Sequence, residues 1–220
     1  RFVIVYNGEI YNHLILRKSL KNEGFKGDSD TETLLVAIEN WGIEKTLNIA
    51  NGMFAFALWD HKQRQLILAR DRIGEKPLYY GWQEETFIFG SELKALKQHP
   101  SFKSEINRDA ITLLLRHNYI PAPHSIYKGV YKLEPGCLLR ISLTKPDPKI
   151  ESYWSARNVA ISGVGNQFSG TANDAVNELE KLAMDAVGQQ MLSDVPIGAF
   201  LSGGVDSSSV AALMQAQSSN

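Results

Sequence analysis

Two short stretches hold residue types whose spacing can do chemistry. The first is Ser202-Gly203-Gly204-Val205-Asp206-Ser207-Ser208, between the apolar run Ile197–Leu201 and an Ala/Val/Leu/Met segment reaching about Gln217. A Gly-rich loop between a strand and a helix presents backbone N–H groups at a helix N-terminus, a ready site for an anion. Gly203 and Gly204 let the backbone approach an oxyanion closely, while Ser202, Ser207 and Ser208 add hydroxyl donors. Asp206 would repel a phosphate unless a divalent cation lay between them, so its natural role is Mg²⁺ coordination. The plain alternative is a Gly/Ser turn with an Asp cap. No Gly-Lys-Ser/Thr follows the glycines, which disfavours a Walker-type loop.

The second stretch is Tyr6-Asn7-Gly8-Glu9-Ile10-Tyr11-Asn12, with Asp28-Ser29-Asp30-Thr31-Glu32 downstream. An Asn side-chain amide beside a Gly backbone N–H can make a two-donor oxyanion hole for acyl transfer. A carboxylate such as Asp30, at the start of a helix, could hold the α-ammonium of an amino-acid substrate. The competing readings are a β-turn at Asn-Gly and a plain helix N-cap at Ser29 or Asp30.

The elements that must position these residues follow from pattern. Phe2–Tyr6 reads as a short strand stopped by Asn7-Gly8. A helix is expected from about Asn12 to Glu23, and Ser29-Asp30-Thr31-Glu32 fits a capping box opening a second, with Gly42 as its end. Met53–Trp59, Gln65–Arg70, Leu78–Gly81 and Thr86–Phe89 read as strands of an antiparallel meander packed on helices. Asn107 caps a helix to about His117, and Gly136–Leu143 is one more strand. Gly, Ser, Asn and Gln dominate the stretch that follows, read as a linker over residues 158–172 between domains at 1–157 and 173–220. Helical spacing resumes at Ala175 and runs to about Met191, then Ile197–Leu201 reads as a buried strand.

Composition narrows the function classes. In 220 residues there are 23 Lys+Arg and 24 Asp+Glu, a net charge of −1, so no basic face for nucleic acid or an anionic membrane is expected. Hydrophobic residues make up 44%, enough for a sizeable core. The single cysteine cannot form an internal disulfide or a thiolate metal cluster, which suits a reducing, cytoplasmic setting. No apolar run has the length of a membrane span, and no signal peptide is read at Arg1–Tyr6, which already has strand character. The five histidines show no ligand spacing.

Taken together, NGEIYN, SDTE, Gly52–Ala57, Arg70–Tyr80 and Ser91–Leu96 resemble class II glutamine amidotransferase domains, and the glycine loop resembles the SGGxDSS pyrophosphate loop of ATP pyrophosphatases. That order, over nearly the whole chain, resembles glutamine-hydrolysing asparagine synthetases. The resemblance implies an α+β N-terminal-nucleophile hydrolase sandwich of two antiparallel sheets flanked by helices, then the start of a doubly wound α/β ATP-pyrophosphatase domain. It also implies that Asn7 and Gly8 form the oxyanion hole and that Glu9 and Asp30 hold the glutamine α-amino group. Phe200 and Leu201 match residues that contact adenosine, and Ser202, Gly203, Gly204, Asp206, Ser207 and Ser208 would bind ATP and its pyrophosphate with Mg²⁺. Asp71 and Arg72, in the family's largely structural Arg70–Tyr80 stretch, are expected to form ion pairs. Glutamine, aspartate and ATP are the implied substrates, with a homodimer left open.

The family's nucleophile is an N-terminal cysteine with its own α-amino group as base. This chain opens on Arg1, its one cysteine is Cys137 within an expected strand, and only 48 residues follow from Asn173 to the end. The expectation is therefore a piece of a longer enzyme, cut after the nucleophile and before most of the synthetase site, and inactive by itself. A β-lactam-synthetase-like ligase and a non-catalytic nucleotide- or amino-acid-binding module are the competing readings.

Overall fold

Phe2, Ile4 and Tyr6 alternate with Val3, Val5 and Asn7, and only the first set is drawn into the core. In the computed structural model, which describes residues 1–20, 24–193 and 195–218, this run is strand β1 (Phe2–Ile10). It passes straight through Asn7-Gly8, so the turn expected there is not formed. In register, Gly8 faces Phe54, and a Cβ on Gly8 would meet the Met53 carbonyl oxygen at 2.2 Å. Only glycine fits so close to the neighbouring backbone, and that close pairing carries the strand on.

The remaining elements follow in chain order. Helices α1 (His13–Ser19), α2 (Asp30–Trp41) and α3 (Ile43–Ile49) lead into strands β2 (Gly52–Asp60), β3 (Gln65–Arg70), β4 (Tyr79–Gln83) and β5 (Thr86–Gly90). After α4 (Leu93–Leu96) and α5 (Arg108–His117) come β6 (Tyr131–Lys132), β7 (Cys137–Ser142) and β8 (Lys145–Ser152). The first helix was expected to reach Glu23; it ends at Ser19, and residues 21–23 lie outside the described ones.

All strand pairs are antiparallel, and they form two sheets rather than one meander, in the orders β1-β2-β3-β7-β8 and β5-β4-β6. Period-two alternation along β2 explains the layering. Phe54, Phe56 and Leu58 pack with Leu16, Leu34, Ile38 and Leu47 of the first three helices. Ala55 and Ala57, on the other face, join Leu68, Leu139, Ile141 and the second sheet's Tyr80. The result is the sandwich fold, with helices on one face of the first sheet and the second sheet on the other. Strand β8 was not foreseen because Pro146 and Pro148 lie in it; an edge strand tolerates prolines, since one side of it needs no ladder.

The chain divides into two compact units, Arg1–Val159 and Ala160–Asn220. The stretch read as a linker is in large part helical, as α6 (Ala156–Gly165). In the second unit, α7 (Ala172–Gln190) opens on a capping box between Thr171 and Asp174, and α8 (Val205–Gln217) follows the glycine loop. Ile197–Leu201 is not a strand. A parallel-sheet strand needs neighbours for its N–H and C=O groups, and the described residues of 160–218 contain no other strand. No described residue of that stretch is buried. None of the helices among the described residues is long and apolar enough to cross a membrane.

Candidate active site

Strand β1 lies at the edge of its sheet, and the direction of its backbone groups can be worked out. Phe54, opposite Gly8, turns both its backbone groups toward β3: its oxygen accepts from Asp71 N at 2.8 Å, and its N–H donates to Asp71 Oδ2 at 3.2 Å. Gly8 and Phe54 are thus a non-hydrogen-bonded pair, which leaves the Gly8 N–H facing the open edge. Ile10 shares that parity. Its N–H donates outward to Asp30 Oδ2 at 2.9 Å.

Asp30 is brought to this edge by α2. Ser29 caps the helix, its Oγ accepting from Glu32 N at 3.2 Å. The expected capping box is only half made, because the Glu32 carboxylate turns to Lys26 N at 2.7 Å and Gly27 N at 2.9 Å instead. As first residue of α2, Asp30 also accepts from Tyr6 Oη at 2.8 Å. Burial, reinforced by the bond to Asp30, pushes the Tyr6 phenol far above its ordinary range, so it remains a donor. Burial, then the Glu75 and Glu9 carboxylates, push Tyr11 up to about 12.

Asn7 and Glu9 lie on the opposite face of β1 from Tyr6 and Ile10, the face shared with Ala55. The Asn7 Nδ2 donates to Ser91 Oγ at 2.9 Å, across a separation of 84 residues. The end of β1 therefore gathers an outward Gly8 N–H, an anchored Asn7 amide and the Glu9 and Asp30 carboxylates. Ser91 and Tyr6 hold no role in the sequence reading, because contacts between distant segments leave no local signal.

The Arg70–Tyr80 stretch corrects another expectation. Asp71 makes no ion pair among the described residues; its buried carboxylate accepts from the N–H groups of Gly74, Glu75, Lys76 and Phe54 at 2.6, 2.9, 3.0 and 3.2 Å. Arg72 donates to the carbonyls of Asn48 and Ala50. Cys137 lies in the inter-sheet core, and burial pushes its thiol up, away from the reactive thiolate.

In the second unit, Gly203 has φ +80°, a conformation that favours glycine. The loop closes on itself: Ser202 Oγ lies 2.9 Å from Ser207 Oγ, and Ser202 N donates to that oxygen at 3.3 Å. Gly204 is the N-cap of α8, so Val205, Asp206 and Ser207 offer first-turn N–H groups, while Ser208 N donates to the Gly204 oxygen at 3.1 Å. Phe200 and Leu201, expected to line a nucleotide from a buried strand, are exposed in irregular chain. Asp194, in the lead-in to this loop, lies outside the described residues.

The family model for the glutamine amidotransferase domain matches residues 1–154. The chain belongs to this family. Downstream of that amidotransferase domain, the asparagine synthase model matches residues 178–220. The chain is 38% identical to "Asparagine synthetase [glutamine-hydrolyzing] 3" of Bacillus subtilis, over 96% of this chain and 33% of that protein. It is 40% identical to "Putative asparagine synthetase [glutamine-hydrolyzing] 2" of Methanocaldococcus jannaschii, over 97% of this chain and 40% of that protein. A putative asparagine synthetase [glutamine-hydrolyzing] of Mycobacterium bovis is 39% identical over 97% of this chain and 33% of its own length. The amidotransferase chain thus spans a third to two fifths of the length of these relatives.

Proposed function

We propose that the enzyme carrying this chain is a cytoplasmic, glutamine-dependent asparagine synthetase. It releases ammonia from glutamine at the end of β1 and uses ATP to activate aspartate for amidation. The observation that carries the reading is the open edge of β1, where the Gly8 N–H faces outward beside the Asn7 amide and the Asp30 carboxylate. In the tetrahedral intermediate of acyl transfer, the glutamine carbonyl oxygen gains negative charge, and two preformed donors stabilise it more than they stabilise the ground state. Glu9 and Asp30, flanking the same strand end, supply the negative charge for the substrate α-ammonium. Buried Cys137 is unsuited to attack, so the nucleophile on this reading is the family's N-terminal cysteine, which is not among these residues.

The second half-reaction is assigned to Ser202–Ser208. Gly203, Gly204 and the first-turn N–H groups of α8 would take the pyrophosphate that leaves when ATP adenylates the aspartate carboxylate. No cluster of three or more His, Cys, Asp or Glu that could hold a metal gathers among the described residues. Asp206, a single carboxylate in the first turn of α8, fits Mg²⁺ arriving with the nucleotide, the other ligands being phosphate oxygens and water.

The test uses the full-length protein with glutamine, aspartate and ATP. Glutamate, asparagine, AMP and pyrophosphate are the expected products. Asn7→Ala should lower the rate of glutamate release roughly 100-fold, the cost of losing one oxyanion donor. Asp206→Ala should suppress pyrophosphate release and leave glutamate release in place. Full-length protein that forms neither glutamate nor pyrophosphate overturns the reading.

A further inference from the structure

We infer that Ser91 is a positioning residue for glutamine hydrolysis, acting through Asn7. The inference rests on the proposed oxyanion role of Asn7 and adds a residue to that site. An Asn side chain ends in a torsion with broad, nearly two-fold preferences, so an exposed amide does not by itself hold a fixed plane. The Nδ2 of Asn7 carries two N–H groups. One is spent on Ser91 Oγ at 2.9 Å, the one side-chain hydrogen bond of Asn7 among the described residues. That bond fixes the amide plane and leaves the second N–H to point where the oxyanion forms, beside the outward Gly8 N–H.

Ser91 can act as a fixed point because its own position does not depend on β1. It directly follows β5, whose last residue, Gly90, pairs with Tyr79 of β4. On its other side, the Glu92 carbonyl accepts from Ala95 N at 3.1 Å and Leu96 N at 3.3 Å, closing the first turn of α4. Leu96 is buried and would sit 3.1 Å from a Cβ placed on Gly90, so strand and helix lock together around residue 91. The oxyanion donor on the edge of one sheet is thereby registered against the other sheet. Preorganised donors owe their effect to holding their position while charge develops, and a loosened donor loses part of it.

The experiment measures glutamine hydrolysis by the full-length protein in wild type, Ser91→Ala, Ser91→Thr, Asn7→Ala and the Asn7→Ala/Ser91→Ala double variant. Ser91→Ala should lower kcat about tenfold, a fraction of what losing the donor itself costs, with KM within about twofold. Ser91→Thr, which keeps the hydroxyl, should recover kcat to within about threefold of wild type. In the Asn7→Ala background, Ser91→Ala should have no further effect, because the group it orients is gone. A merely structural role would add its loss in both backgrounds. Unchanged kcat in Ser91→Ala, or an undiminished loss in the Asn7→Ala background, overturns the inference while leaving the proposed function standing. A wild-type enzyme that does not hydrolyse glutamine overturns both.

Discussion

The Tyr6 hydroxyl reaches Asp30 Oδ2 at 2.8 Å from a ring packed against the helix-side core, and Ile10 N–H reaches the same oxygen at 2.9 Å. Two donors on one carboxylate oxygen fix its direction. Tyr6→Phe removes one of them and keeps the ring. A hydrogen bond to a charged group contributes about 1.5–3 kcal/mol, so the KM for glutamine of the full-length enzyme should rise roughly tenfold or more. Turnover should change little, since the proposed oxyanion donors, Asn7 and Gly8, are untouched. Steady-state kinetics separate the two, and a fall in kcat at unchanged KM would remove Asp30 from substrate binding. NGE and SDTE carried Asn7, Gly8, Glu9 and Asp30 in plain view, whereas Tyr6 and Ser91 depend on partners 24 and 84 residues away.

At the scale of the elements, the loop over residues 71–77 is tied down by side chains at its start. Asp71 gathers four backbone N–H groups, and Arg70 donates to the carbonyls of Lys76, Gly74 and Leu133 at 2.8, 2.7 and 2.7 Å. A carboxylate and a guanidinium thus do for a loop what a ladder does for a strand. Because one of those N–H groups is that of Phe54, opposite Gly8, the same carboxylate also steadies the backbone behind the site. Asp71→Ala would leave buried N–H groups unsatisfied and should cost more than about 3 kcal/mol of stability. Chemical denaturation of the 220-residue chain checks this through a lowered midpoint; a midpoint unchanged within error would contradict it. The ion pairs expected of Asp71 and Arg72 rest on the family resemblance of this stretch, which does not show loop carbonyls and N–H groups as partners. Strand β1 runs past its expected end and β8 forms where no strand is expected for a related reason: Asn-Gly and Pro are local turn signals that pairing overrides at a sheet edge.

At the scale of the molecule, the two units differ in kind. Arg1–Val159 holds two extended core clusters, one between helices and sheet and one between sheets. The described residues of 160–218 bury none of their side chains, although α7 is amphipathic in pattern and touches α8 through Gln217 Nε2 and the Met184 oxygen at 3.0 Å. Helices without a buried face gain little from tertiary packing. In the 220-residue chain, amide hydrogens of Phe54–Leu58 should therefore exchange only by global unfolding, and those of α7 and α8 at least about a hundredfold faster. Equal protection in both, measured by hydrogen exchange with mass spectrometry, would contradict this.

The sequence by itself determined the chemistry on offer. Residue type and short spacing are local properties, so the Asn7-Gly8 pair with its two potential donors, the helix caps at Ser29 and Asn107, the central strands and the glycine loop before α8 are all readable from the chain. Tertiary structure alone decided which edge of β1 stays open, that Gly8 turns its N–H outward there, and which distant side chains hold Asn7 and Asp30 in place. It also decided that Ile197–Leu201 stays irregular, because a strand exists only with a partner. Pairing direction, register and long-range hydrogen bonds are properties of two segments at once, and no single stretch of sequence contains them.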